Sequence, residues 1–198
     1  LGLAALGGIL GALRLADVVL DPFLGWLAER FRSQRSVMVT GALLVLAAAM
    51  AGLLSVAPPV APLVWFALTM GLVTLAYSFL TIVFYAQGVA WAAAHQGAHL
   101  RLATWREAGT LLGVSTAAIL PAVLPGGPAS LGLLFLFLVL AAGVAMRGEW
   151  RNNQGTLERP GFDAFRQALR DRRVRWLLLV ALINAAPVAV TSALFLFF

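Results

Sequence analysis

Three ionisable residues of mixed sign, Arg14, Asp17 and Asp21, stand close together inside an otherwise apolar stretch. Spacings of three and four residues put all three on one face of a helix. Two carboxylates on one face can offer oxygen ligands to a hard cation such as Na⁺, or can hold a proton. Pro22, directly after Asp21, removes one intrahelical bond and frees the Val18 carbonyl as a further oxygen. Gly11 and Gly25 continue the stripe and would let a neighbouring helix come close. The other use of such a triplet is an Arg14–Asp17 salt bridge that fixes helix packing.

A second set lies further along the chain. Tyr77, Thr81 and Tyr85 share a helix face at i, i+4 and i+8, giving an aromatic stripe with hydroxyl tips. Such a stripe is amphipathic, and it is more often what packing between helices produces. The two histidines, His95 and His99, have no further ligand nearby, and the chain contains no cysteine. Thiolate metal sites, cysteine nucleophiles and disulfides are therefore excluded. No Ser-His-Asp arrangement and no phosphate-binding glycine loop occurs, so an enzyme is not expected.

The elements that must carry these residues follow from composition. Of 198 residues, 62% are hydrophobic and 11% charged, and the mean hydropathy is +0.93. Soluble domains run near 45–50% apolar and 25% charged, so a membrane protein is indicated. Six stretches are long enough to span a bilayer as helices: Leu1–Ala28, Val37–Val56, Leu63–Ala90, Thr104–Leu124, Ala129–Met146 and Val174–Phe198. The runs are continuous and rich in Ala and Leu rather than alternating, which argues against strands. The expected fold is all-α, a polytopic membrane helix bundle.

Charge sets its orientation. All 14 basic residues are arginine, and the formal charge is +6. Thirteen of them fall in the separators 30–36, 95–106 and 147–175, which alternate with separators that carry none. The positive-inside rule makes those three segments cytoplasmic, and the basic pI is then no sign of nucleic-acid binding. With Arg30 at the interface, helix rise puts Asp21 about 13 Å and Asp17 about 20 Å inward, bracketing the midplane of a core about 30 Å thick. Aspartate is too short to reach either interface from there, so both must face water, a cation or Arg14.

The pattern Arg14-Leu-Ala-Asp17-Val-Val-Leu-Asp21-Pro22-Phe-Leu-Gly25-Trp-Leu-Ala-Glu29-Arg30 resembles the second-helix signature of the glycoside–pentoside–hexuronide:cation symporters of the major facilitator superfamily. Glu29 stands where that signature has aspartate. Phe84-Tyr85-Ala86-Gln87-Gly88, then His99-Leu-Arg101-Leu-Ala-Thr-Trp105-Arg106-Glu107-Ala108 and Leu120-Pro121, are similar to the family's fourth helix, loop and fifth helix. Asn184 and Pro187 resemble its seventh.

The resemblance implies a partial major facilitator fold, helices two to seven of a twelve-helix carrier that continues beyond this chain. Residues 1–146 would hold five helices of the N-terminal bundle, 147–173 a central loop, and 174–198 the first helix of the second bundle. Within the loop, Phe162, Phe165 and Leu169 are spaced as an amphipathic surface helix.

It further implies that Asp17 and Asp21 hold the coupling cation, Na⁺ or H⁺, with no other cofactor. Arg14, Tyr77, Thr81, Tyr85 and Arg106 would face the solute. A well-known member has a sugar-binding aspartate where Thr81 stands. Arg106 also reads as an ordinary interfacial arginine.

The expected activity is cation-coupled symport of a sugar or glycoside-like solute across a bacterial-type cytoplasmic membrane. The expected partners are that solute and the lipid bilayer, not nucleic acid. A proton-coupled drug or solute exporter of the same superfamily is the alternative within transport. A scaffold subunit is the alternative outside it, and would have no use for acids at the midplane.

Overall fold

The computed structural model describes residues 3–95, 98–150 and 170–195. They form six α-helices with no strand among them: α1 (Leu3–Arg30), α2 (Arg35–Ser55), α3 (Pro62–Ala94), α4 (Ala98–Val123), α5 (Gly127–Ala145) and α6 (Arg172–Phe195). The chain is thus a partial helix bundle of the expected all-α class. Helices α2, α3 and α5 are long and apolar enough, by length and composition, to cross a membrane. The sequence expected as an amphipathic helix around Phe162, Phe165 and Leu169 lies outside the described residues.

Local sequence explains where the helices break. The Ala57-Pro58-Pro59 turn ends α2, and Pro62 opens α3 at a position where its missing N–H is not needed. Gly126 and Gly127 adopt φ of +104° and +67°, which side chains resist, and so turn α4 into α5. A 3₁₀ turn, Arg32–Gln34, joins α1 to α2. Helix α1 continues through Pro22 and α4 through Pro121. Threonine hydroxyls bond back to carbonyls one turn earlier, as in Thr74 to Met70 (2.9 Å) and Thr110 to Arg106 (3.0 Å). Those hydroxyls need no water, as a lipid surrounding requires.

One boundary departs from expectation. The expected span begins at Thr104, but α4 begins at Ala98 and already runs through Arg101. Apolarity marks depth in a bilayer, whereas a helix also forms through polar residues outside the hydrocarbon.

The described chain divides into two compact units, Leu1–Gly155 and Thr156–Phe198. In the first, α2 packs most extensively on α3 and α5, α1 packs on α3, and α4 touches α3 and α5. Leu24, Ala28, Val39, Phe79 and Val83 form the buried cluster where α1, α2 and α3 meet. Small residues permit the tight contacts. A Cβ on Gly132 of α5 would come within 2.7 Å of the Ser55 hydroxyl of α2. At the same end of α2, Trp65 Nε1 of α3 donates to the Gly52 carbonyl at 3.2 Å. Most large apolar side chains are exposed, among them Leu15, Val19, Leu133 and Phe137, which fits a lipid-facing surface.

Candidate functional site

Helix α1 presents two distinct flanks. Leu15, Val19, Phe23 and Trp26 recur along an exposed apolar face. Leu24 and Ala28 lie on the buried side toward α3. At about 100° per residue Asp17 falls in line with Leu24 and Ala28 on the buried side, and Asp21 and Arg14 lie along the edge of that side. Asp17 is half-buried, while Asp21 and Arg14 are exposed in this unit.

The alternative use of this triplet, an Arg14–Asp17 ion pair, does not form. Among the described residues the ion pairs are those of Glu29, with Arg32 at 3.4 Å and Arg35 at 3.7 Å. Helical side chains lean toward the N-terminus, so Arg14 leans away from acids that follow it in sequence. Among the described residues no group of three or more His, Asp or Glu converges.

Register places α3 beside this edge. Leu13 of α1 approaches Gly71 of α3, and Gly25 approaches Ile82, so the two helices run parallel. Asp17 and Asp21 therefore lie level with about residues 75–79, the turn that carries Tyr77. Tyr77, Thr81 and Tyr85 line the face of α3 between its contact with α1 and its contact with α4. Tyr77 is 62% and Tyr85 48% exposed. This stripe is turned away from the α2 interface, whose α3 residues Val83 and Gln87 are buried.

Helix α4 runs antiparallel to α3 and completes the wall. Leu102 packs over Gly88, and the Arg106 guanidinium lies 5.0 Å from the centre of the Tyr85 ring. The structure thus brings Tyr85 and Arg106 together directly. It puts Asp17 and Asp21 at the depth of Tyr77, and among the described residues no hydrogen bond links the aspartates to the α3 stripe. Asn184 is exposed on α6, in the other unit.

Two polar residues matter that pattern reading passed over. Arg35 is 8% and Gln87 7% exposed. Arg35 Nη1 donates to Gln87 Oε1 at 3.2 Å, and Gln87 Nε2 donates to the Glu149 carbonyl at 3.1 Å. With Glu29, this network ties α1, α2, α3 and the residues after α5 at the arginine-bearing end of the bundle. The available signal was one amide in the apolar run of α3, one helical turn beyond Val83.

With this geometry in place, comparison with known proteins gives one match. A family model described as MFS/sugar transport protein matches residues 1–198, the whole chain. No curated protein and no solved structure matches it.

Proposed function

This chain belongs to the MFS/sugar transport protein family, membrane-embedded secondary transporters of the major facilitator superfamily, and from that premise we propose a cation-coupled symporter of a sugar or glycoside-like solute. The observation that carries the proposal is the pair Asp17 and Asp21 in apolar α1, level with the hydroxyl-bearing stripe of α3. The signature around them supports placing the chain with the glycoside–pentoside–hexuronide:cation symporters.

In this reading Na⁺ or H⁺ is taken up at Asp17 and Asp21. The solute lies against Arg14, Tyr77, Thr81, Tyr85 and Arg106, with hydrogen bonds from the hydroxyls and the guanidinium. Neutralising the two acids lowers the cost of a closed, dry site, so the cation favours the solute-binding conformation. The solute must then raise cation affinity by the same factor. Residues 30–36, 95–106 and 147–175 face the cytoplasm of a bacterial-type inner membrane. The bundles rock about a site near the midplane.

Uptake into proteoliposomes holding the full transporter tests this. Asp21→Asn is expected to abolish accumulation driven by a Na⁺ or H⁺ gradient while leaving downhill solute exchange. Accumulation that survives Asp21→Asn overturns the assignment. Proton-driven efflux without any solute uptake instead supports the exporter alternative.

A further inference from the structure

After Ala145 the chain turns back on itself. The Met146 N–H donates to the Ala142 carbonyl at 3.0 Å, Arg147 N–H to Val144 at 3.2 Å, and Glu149 N–H to Met146 at 3.0 Å. These turns deliver Glu149 and Trp150 to the junction of α1, α2 and α3. There Trp150 packs against the cluster of Leu24, Ala28, Val39, Phe79 and Val83. The Glu149 carbonyl receives the Gln87 amide N–H at 3.1 Å while the same amide's oxygen accepts from Arg35 at 3.2 Å. A carboxamide can donate and accept at once, and neither a carboxylate nor an ammonium can take both roles.

The seat is incomplete in one respect. Trp150 Nε1 is buried and has no hydrogen-bond partner among the described residues. A buried N–H without an acceptor opposes docking, whereas the ring contact and the Gln87 bond favour it. One ring contact and one hydrogen bond hold the segment, and Arg147, Gly148 and Glu149 are exposed, which describes a segment that lifts readily and not a fixed part of the core. While docked, it lies against the C-terminal part of α1, the start of α2 and the flank of α3.

We propose that Arg147–Trp150 is a releasable strap, latched through Gln87 and Trp150, and that its lifting is a step of turnover at the arginine-bearing end of the bundle. The latch stands on its own geometry, and only its effect on turnover rests on the transporter reading.

The test uses the full transporter and two readouts, trypsin cleavage after exposed Arg147 followed by mass spectrometry, and solute counterflow. Gln87→Glu keeps an acceptor for Arg35 but loses the donor to Glu149, so it should leave the bundle folded and raise cleavage several-fold. Trp150→Ala should raise it as well. Trp150→Phe keeps an aromatic contact and removes the orphaned N–H, so cleavage and counterflow should both slow several-fold.

Unchanged cleavage in Gln87→Glu, or faster cleavage in Trp150→Phe, overturns the latch. Cleavage that shifts while counterflow does not overturns its part in turnover. Wild-type protein that exchanges no solute counts against the transporter reading, and cleavage still decides the latch.

Discussion

The guanidinium of Arg106 sits 5.0 Å from the centre of the Tyr85 ring, joining two helices that run antiparallel. The ring holds the cation from one side and leaves N–H donors at its edge, which on the proposed function would receive hydroxyl or carboxylate oxygens of the solute. Arg106→Lys keeps the charge and loses the planar fork. It is expected to raise the half-saturation concentration for uptake roughly ten- to hundred-fold, since hydrogen bonds from a charged group contribute about 1.5–3 kcal/mol. Tyr85→Leu leaves the arginine but frees it, for a smaller loss of about two- to five-fold. Unchanged half-saturation in Arg106→Lys would mean that this arginine serves only the interface.

Asp17 is half-buried on α1 and makes no ion pair among the described residues. On the proposed function Asp17 lies near the centre of a spanning helix, where a charge costs about 2.5–3.5 kcal/mol on insertion scales, and the neutral amide of asparagine lowers that cost. Asp17→Asn should therefore raise the melting temperature of the solubilised transporter by a few degrees and abolish cation-driven accumulation in the same protein. A lower melting temperature would show instead that Asp17 holds the bundle together.

Glu29 receives two arginines, Arg32 at 3.4 Å and Arg35 at 3.7 Å, and the second of these is buried. Its length matters, because aspartate, the residue of the resembled signature, is one methylene shorter. Glu29→Asp should release Arg35 first and cost about 0.5–1 kcal/mol, discounted because Glu29 is partly exposed. Glu29→Gln leaves the buried cation with Gln87 alone and should cost about 1–3 kcal/mol. Thermal unfolding that ranks wild type above Glu29→Asp above Glu29→Gln supports this order, and any reversal defeats it.

These residues also show what composition and spacing reveal. Lipid demands continuous apolar runs, so each described helix was legible, as was the shared face of Asp17 and Asp21. The start of α4 at Ala98 was not, since a helix outside the hydrocarbon leaves no apolar trace. Nor was the failure of Arg14 to reach Asp17, which depends on side-chain direction rather than spacing. The Arg35–Gln87–Glu149 chain joins residues far apart in sequence. It exists only through the relative register of α2, α3 and α5, which a single sequence does not display. Tyr85 and Arg106 meet by the same kind of register, and a family resemblance was needed to pair them.

Packing of α2 on α5 rests on Gly132. A Cβ there would stand 2.7 Å from the Ser55 hydroxyl and 3.4 Å from Leu54 Cβ. Gly132→Ala should thus lower stability by about 1–3 kcal/mol through overpacking, despite alanine's better helix propensity. Adding Ser55→Ala removes the nearest atom and should restore most of the loss, a coupling that a double-mutant cycle measures directly. Gly113 of α4 is the control, with nothing within 4 Å of a Cβ built on it. Gly113→Ala should leave stability unchanged or raise it by up to about 1 kcal/mol. Equal effects at Gly132 and Gly113, or no recovery on adding Ser55→Ala, would show that the α2–α5 contact is not set by this close approach.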